Sequence, residues 1–533
     1  MTTVSNATPG FGWASEGVFQ KGKGKTLAIP MNIHASSRAK LCGIMNDRSI
    51  AAGVVVIKGG VDQCQYDSDT ELLFRQDSWF QYLFGVKEPG MYGAIDVATG
   101  KCCLFIPQLS DSYEIWCGKI HSPDVFKVSY AVDEVLFIDN IATWVESHIG
   151  AGKLYLLQGV NSDSGLSSTP ATFSGDSVYH EKGLVDLDNL HHALSTARVT
   201  KSASELHVMR YCAWVASNAH VEVMRTAEEG LAEYELEAKF AYEIYSKGGC
   251  RRCAYTAICA CGPNGAILHY GHAGAPNDRL LKAGDMCLLD MGADYHGYVS
   301  DITCTFPLAK TFTSDQRAVY EGVLNAQIAV AAMMKPGVSW VDCHRAAERE
   351  VLAALQRVGV LVGDASLEEL QAAHVGAVFM PHGLGHLIGC DTHDVGGYIA
   401  GTPGVSPHPG LCKLRTSRLL EPGMVLTSEP GCYFIDKLLD AALANEVQST
   451  FFNKNILQRF RQFGGVRLED VVVVTETGMD NLTTCPRTVA EVEFVRNGGS
   501  WPPLKDTAPE LRRQWGALDK KTGKMIDVKI PTV

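Results

Sequence analysis

Hydrophobic and polar positions alternate along the first third of the chain in a way that predicts strands separated by helices. Short apolar runs such as Val54-Val-Val-Ile57 and residues 151–157 predict buried strands, and residues 92–97 with 102–106 predict a hairpin. Helical segments such as residues 132–148 are predicted between them. The pattern therefore predicts an α/β N-terminal domain over residues 26–195, preceded by a flexible lead-in over residues 1–25 that is rich in Gly, Ser, Thr and Lys.

Helix-start signals mark a second domain over residues 196–498. Ser202-Ala-Ser-Glu205 fits a capping box, and apolar residues follow it at helical spacing. A helix is predicted over 234–247, and others begin at Thr313 and Ser339; strands are predicted at 254–261, 286–291, 300–306, 425–429 and 465–475. This order of elements predicts an α+β fold, followed by a polar C-terminal extension over residues 499–533.

Composition excludes several classes of function. The 533 residues are 46% hydrophobic and 20% charged, which is typical of a soluble globular protein with more than one domain. A net charge of −12 disfavours nucleic-acid binding, and no apolar run approaches the roughly 20 residues that span a membrane. No signal peptide is recognised, and 17 cysteines, an odd number, indicate free thiols in a reducing compartment. We therefore expect a cytoplasmic protein.

Two aspartates stand at the ends of neighbouring predicted strands. Asp290 ends an apolar run, Asp301 opens the next, and the turn-forming Gly297 lies between them. A hairpin of this length can bring both carboxylates to one end of a sheet, where they repel unless one is protonated or a cation lies between them. Aspartate also commonly caps strands and turns. When these two residues are considered by themselves, that structural role stays open.

Further polar residues in apolar surroundings favour a metal site. The glycine-rich His382-Gly-Leu-Gly-His386 is unlike a core helix, Glu429 ends an apolar strand, and Glu469 lies within one, where a salt bridge to Arg467 is the alternative. Four carboxylates and one imidazole suit Mn²⁺, Co²⁺ or Zn²⁺. Their four negative charges balance two divalent cations, which can share a bridging hydroxide because metal binding lowers the pKa of water to near 7.

The segments around these residues resemble the pita-bread metallopeptidases. The matching motifs are Asp290-Met-Gly, Ser300-Asp-Ile-Thr303, Pro381-His-Gly-Leu-Gly-His386, His393-Asp-Val-Gly-Gly397, Ser428-Glu-Pro-Gly431 and Gly465-Val-Arg-Leu-Glu469. The resemblance covers residues 30 to 495, roughly. It implies a pita-bread (creatinase/aminopeptidase-like) catalytic domain, and the flanking motifs are most similar to members that hydrolyse Xaa-Pro dipeptides.

The resemblance also implies roles for single residues. It implies that two divalent metal ions, most commonly manganese (Mn²⁺), are bound by Asp290, Asp301, His386, Glu429 and Glu469. His382 and His393 would stabilise the reacting carbonyl as catalytic residues, and the substrate contacts would be His269, Arg415, Tyr255 and Arg467, with Arg415 holding the carboxylate of proline. A homodimer is implied, in which Trp116 would reach the partner subunit's site.

An Xaa-Pro bond suits such a site because proline lacks the N–H that aligns ordinary peptides and populates cis. A site that binds both the amino and the carboxylate end of a dipeptide does not need that N–H to align the substrate. Our hypothesis is that the bridging hydroxide attacks the carbonyl while Glu429 relays a proton to the proline nitrogen.

Three alternatives stay open. The first is an Xaa-Pro aminopeptidase that acts on longer peptides, and the second is a non-catalytic peptidase-like binding module. The third is a metal-free hydrolase of the creatinase kind; relatives of the last two kinds lack the five ligands. Cys250-Arg-Arg-Cys253 with Cys259-Ala-Cys261 resembles a zinc or redox cluster, but the spacing fits no standard zinc module, so structural thiols are favoured.

Overall fold

The structure is a computed structural model that describes residues 14–15, 17–50, 52–271 and 277–532. Contacts divide these residues into two compact units. The first unit comprises the described residues up to Arg198 together with Lys520–Lys524, and the second begins at Val199 and continues to Asp519, with the residues from Met525 onward. The predicted domain limits at 25, 195 and 498 stay predictions.

The first unit is built on a mixed six-stranded sheet. Its strands, in order across the sheet, are Glu134–Phe137, Cys102–Ile106, Tyr92–Asp96, Gly53–Lys58, Lys153–Leu156 and Val185–Asp186. Its helices are Asn32–Asp47, Ser78–Phe84, Tyr113–Trp116, Pro123–Tyr130, Ile141–Ile149, Ser177–Glu181 and Asn189–Val199, and three short strands at Ala14–Ser15, Val18–Phe19 and Ile29–Pro30 form a separate sheet. The predicted hairpin is confirmed, because Tyr92–Asp96 and Cys102–Ile106 pair antiparallel.

The helix predicted over residues 132–148 is wrong in its first half. Glu134–Phe137 is an edge strand that pairs in parallel with Cys102–Ile106, Ile138–Asn140 is a single 3₁₀ turn, and the α-helix is confined to Ile141–Ile149. The sequence Glu-Val-Leu-Phe fits either element, and pairing with a distant strand decided between them.

The second unit is α+β. Its helices are Ala203–Thr226, Glu233–Gly248, Ser314–Met333, Trp340–Arg357, Leu367–Ala372, Gly376–Phe379, Asp436–Ala444, Lys454–Phe460 and Val489–Arg496. Its short strands are Arg252–Cys253, Ile258–Cys261, Met286–Asp290, Ala293–Tyr295, Tyr298–Val299, Thr303–Pro307, Val425–Ser428, Gly431–Tyr433, Gly465–Arg467, Asp470–Val474, Met479–Asn481 and Gly516–Asp519, and Lys524–Asp527 pairs with the last. The capping box at Ser202 is confirmed, and the helix predicted to begin at Thr313 does begin there, also with a capping box.

Antiparallel pairs in this unit bring polar residues from distant parts of the chain together. Asp290 lies opposite Thr303 in the sheet formed by Ile258–Cys261, Met286–Asp290 and Thr303–Pro307. Ser428 lies opposite Asp470, and Gly431 lies opposite Arg467. The predicted strand at 465–475 is interrupted, so that Glu469 lies between two strands and its N–H donates to the Thr303 carbonyl at 3.1 Å. The interruption ends the regular strand pairing at the place where these polar side chains come together.

The described residues contain no helix that combines the length and the apolar character needed to cross a membrane.

Candidate metal centre

Three of the five predicted ligands form a compact buried group. Asp301, His386 and Glu469 each offer a ligand atom, and these atoms all lie within 4.8 Å of one another. Their exposed fractions are 5%, 4% and 2%, so the group lies inside the second unit rather than on its surface. His386 Nε2 is 3.4 Å from Asp301 Oδ2 and 3.5 Å from Glu429 Oε1, which places a fourth predicted ligand beside them.

The backbone around His386 aims its Nε2 at the carboxylates. Its Nδ1 lies 3.0 Å from the Leu387 carbonyl, which can only accept, so Nδ1 carries a proton and Nε2 is the ring nitrogen directed at the carboxylates. The His386 N–H donates to Thr427 Oγ1 at 3.1 Å, and the Thr427 N–H donates back to the His386 carbonyl at 2.9 Å. A Cβ at Gly385 would lie 2.0 Å from the Thr427 carbonyl oxygen, so glycine is required for this approach.

The fifth predicted ligand, Asp290, is held by two neighbours. Arg467 Nη2 donates to Asp290 Oδ2 at 2.8 Å, and the Tyr255 hydroxyl donates to Asp290 Oδ1 at 2.5 Å. The sequence left a pair between Arg467 and Glu469 open, but the observed ion pair of Arg467 is with Asp290. Tyr255 and Arg467 therefore both contact this ligand, as expected for residues that line the site.

The charges of this group are unbalanced. Burial raises the pKa of Asp290 to about 6 and that of Glu429 to about 7, and it raises the pKa of Glu469 well above its usual range. Burial also acts on Asp301, but the hydrogen bond and charge of His386 lower the pKa of that carboxyl. Asp301 Oδ1 is buried without a hydrogen-bond partner. Clustered acids with an orphaned oxygen and an available imidazole nitrogen are the donor set that divalent cations require.

A hydrogen-bonded network that the sequence did not predict supports these ligands. The Thr303 hydroxyl donates to Glu469 Oε2 at 2.7 Å and accepts from Arg467 Nε at 3.0 Å. Arg467 Nη1 donates to the Tyr433 hydroxyl at 2.7 Å, and that hydroxyl lies 3.1 Å from His382 Nε2. Thr303 and Tyr433 occur in apolar strands, where their residue types are equally typical of packing, so only the strand register reveals them.

The predicted substrate and catalytic residues lie around the same group. The His393 ring centroid is 4.5 Å from that of His386, and His382 Nδ1 is 3.8 Å from Glu429 Oε2. Burial, followed by the charge of Arg467, lowers the pKa of His382 to about 3. Desolvation lowers the pKa of His393 to about 3, with further lowering by the charges of neighbours that include Arg415 and His269. The structure thus brings together the five predicted ligands, Tyr255, Arg467, His382 and His393, and the charges of Arg415 and His269 act on His393. Residues 272–274 of the segment after His269 lie outside the described residues.

The cysteine-rich segment forms no second metal group. Cys259 and Cys261 are buried on a strand, and Cys261 lies opposite Cys287 on the next strand. Within the described ranges, the group of Asp301, His386 and Glu469 is the only set of three or more such side chains close enough to hold an ion. The thiols are therefore best explained as part of the packing.

Comparison with known proteins gives the chain a family context. The profile of Metallopeptidase family M24 matches residues 207–476, and that of the aminopeptidase P N-terminal domain matches residues 34–155. The chain is 51% identical to the Xaa-Pro dipeptidase of Mus musculus over 476 residues, which cover 89% of this chain and 95% of that protein.

Two solved structures share the fold. Aminopeptidase PepP of Pseudomonas aeruginosa superposes with a TM-score of 0.69 at 32% identity, covering 88% of this chain and 98% of that one. Zinc-substituted Escherichia coli aminopeptidase P in complex with product gives a TM-score of 0.69 at 27% identity, covering 88% and 99%. The predicted pita-bread catalytic domain with an N-terminal α/β domain is therefore confirmed.

Proposed function

Because the chain belongs to metallopeptidase family M24, we propose that it is a metal-dependent Xaa-Pro dipeptidase, a hydrolase of the prolidase type that cleaves the imido bond of Xaa-Pro dipeptides. The observation that carries the proposal is the buried group of acids around His386, in which three ligand atoms lie within 4.8 Å of one another and Asp301 Oδ1 has no hydrogen-bond partner. Its position in a chain half identical to an Xaa-Pro dipeptidase supports the substrate class.

We propose that Asp290, Asp301, His386, Glu429 and Glu469 hold two divalent cations, and that these are manganese ions. A donor set dominated by carboxylates favours hard cations such as Mn²⁺ over softer ones, and no thiolate is needed. Such cations supply Lewis acidity and lower the pKa of water to near 7. Arg467 and the Thr303 hydroxyl orient Asp290 and Glu469, respectively, through the contacts at 2.8 and 2.7 Å.

The remaining side chains suit the substrate. Arg415 would pair with the carboxylate of proline, and His269 would contact the dipeptide beside it. His382 has both ring nitrogens engaged, by the Gly383 carbonyl at 2.8 Å and by the Tyr433 hydroxyl, so the exposed His393 is better placed to donate to the developing oxyanion. Glu429, which lies 3.5 Å from His386 Nε2 at the edge of the ligand group, can accept a proton and pass it to the proline nitrogen.

The rates of hydrolysis of dipeptides and of longer peptides distinguish an Xaa-Pro dipeptidase from an Xaa-Pro aminopeptidase. The solved structures with this fold are aminopeptidases, which keeps an Xaa-Pro aminopeptidase as the second candidate. We expect kcat/KM for Gly-Pro to exceed that for a Gly-Pro-X tripeptide by about 100-fold, because a site that pairs with the proline carboxylate loses a charge-assisted contact when that group is amidated. Equal or faster tripeptide hydrolysis by the Mn²⁺-loaded protein would favour the aminopeptidase.

Assembly and location are also proposals. The short helix Tyr113–Trp116 exposes 78% of Ile115 and 84% of Trp116, which favours burial in a homodimer in which Trp116 reaches the partner subunit's site. The mass in solution by light scattering tests the dimer. The 17 cysteines, each in a described range, lie outside any disulfide, which supports a cytoplasmic location.

A further inference from the structure

The segment that carries His269 is tied to a buried glutamate at the start of a helix. Glu233 opens the helix Glu233–Gly248 and is fully buried. Its Oε1 accepts from the Cys261 N–H at 2.7 Å and from Asn264 Nδ2 at 3.0 Å, and its Oε2 accepts from the Tyr270 hydroxyl at 2.6 Å. The three donors lie before, within and after the 3₁₀ turn Gly262–Ala266, so one carboxylate fixes the whole segment from 261 to 270.

Glu233 is suited to this task by its surroundings. Its carboxyl group lies at the positive end of a helix dipole and receives three neutral donors, which offset part of the cost of its lost hydration. Burial raises the pKa of Glu233, whereas the bonds from Tyr270, Cys261 and Asn264 lower it. A buried carboxylate with several fixed donors holds its neighbours in one geometry, because each donor lost leaves part of the charge unsatisfied.

The side chains on either side of His269 are anchored in one cluster. Leu268 and Tyr270 both pack against the buried cluster of Ile258, Ala260, Leu288 and Tyr433. His269 lies between them in the chain and is exposed, so its ring projects away from that cluster. The charge of His269 acts on both His382 and His393, so the three histidines lie within electrostatic range of one another. Fixing Tyr270 therefore fixes the direction of the His269 ring.

We propose that Glu233 and Tyr270 form a positioning clamp that holds His269 where it contacts the dipeptide and so determines the affinity for substrate. The inference rests on the proposed function, in which His269 touches the substrate. Glu233 and Tyr270 are positioning residues: neither needs to contact the dipeptide, and both act through His269.

A mutant cycle tests the clamp in the full-length, Mn²⁺-loaded protein. Tyr270→Phe keeps the packing and removes the bond to Glu233, and we expect KM for Gly-Pro to rise about tenfold with kcat changed less than about twofold. His269→Ala should raise KM at least as much, and the double variant should be no worse than His269→Ala alone, because Tyr270 acts through His269. Tyr298→Phe is the matched control: its buried hydroxyl donates to Glu205 at 3.2 Å, and its loss should leave KM unchanged.

Amide hydrogen exchange provides a readout that does not depend on turnover. In Tyr270→Phe and in Glu233→Gln, peptides spanning 262–270 should exchange faster, while peptides that carry the metal ligands and the bound-metal content stay as in the wild type. Multiplicative effects in the double variant, equal losses of kcat and metal, or unchanged exchange would each overturn the clamp. If wild-type protein does not hydrolyse Gly-Pro, the proposed function fails, whereas the exchange measurement still decides whether the clamp holds the segment.

Discussion

Single side chains at the site lie in surroundings that oppose their usual ionisation. Burial raises the pKa of Asp290 and Glu429 toward neutrality and keeps His382 neutral. The sequence predicted these residues because each falls in a recognisable motif. It did not predict Thr303 or Tyr433, because a hydroxyl in an apolar strand becomes informative only when the register places it against Glu469 or Arg467. At this scale, the sequence motifs predict the ligands together with Tyr255 and Arg467, whereas they do not predict Thr303 and Tyr433.

Glu429 allows a direct test of the proton relay. Glu429→Gln keeps the size of the side chain but cannot take up a proton as a carboxylate does, so we expect kcat for Gly-Pro to fall by about 10²–10⁴-fold at saturating Mn²⁺. The bound metal is measured in the same samples. The matched control is Glu421→Gln, at an exposed acid that pairs with Arg418, and it should retain full activity. Near-normal turnover by Glu429→Gln with both metals bound would exclude the relay.

The same variant measures how much the ionisation of buried Glu429 destabilises the metal-free protein. Because burial raises the pKa of Glu429 to about 7, the folded state binds a proton that the unfolded state releases between about pH 4.3 and 7. The wild type is therefore expected to lose stability relative to Glu429→Gln as pH rises through this range. After chelation, urea unfolding should show the variant more stable by about 3 kcal/mol at pH 8. The two proteins should be similar at about pH 4; a pH-independent difference would refute the assignment.

Elements were predictable where their signals are local. The capping boxes at Ser202 and Thr313 and the strand Gly53–Lys58 agree with the sequence, because caps and apolar runs act within a few residues. The prediction was wrong at residues 132–148, and it missed the interruption at Glu469, because distant strands decide both. The site depends on those distant pairings, so its geometry could not be derived from local patterns.

A buried ion pair ties the start of one helix to the segment that carries His393. Lys201 Nζ donates to Asp394 Oδ2 at 2.9 Å, and both side chains are almost fully buried. Lys201→Met should lower the free energy of unfolding by about 3–5 kcal/mol, because it removes the charged partner of a buried carboxylate. Lys201→Met combined with Asp394→Asn should recover much of this loss in urea unfolding. Arg349→Met, which removes a surface pair with Glu368, should cost less than about 1 kcal/mol. An equally small loss in Lys201→Met would refute the role of the buried pair.

The whole molecule was predicted in outline from its sequence. Two domains, an α+β second domain and a five-ligand site follow from length, periodicity and ordered motifs, and the family comparison confirms the fold. All the predicted ligands and substrate residues lie in the second unit, between Val199 and Asp519. The acids gather there because antiparallel strands that start far apart in the chain end at the same place, and a cation is the simplest way to stabilise that arrangement.

Reconstitution of the chelated protein with metal tests most directly whether the buried acids form a metal site that the hydrolysis requires. The protein is stripped of metal, assayed for Gly-Pro hydrolysis, and then titrated with Mn²⁺ while bound metal per chain is measured. Hydrolysis should be lost on chelation and return as the site fills to two ions per chain, because the buried acids need both charges compensated. Full Gly-Pro hydrolysis by protein without bound metal would contradict the metal-dependent function.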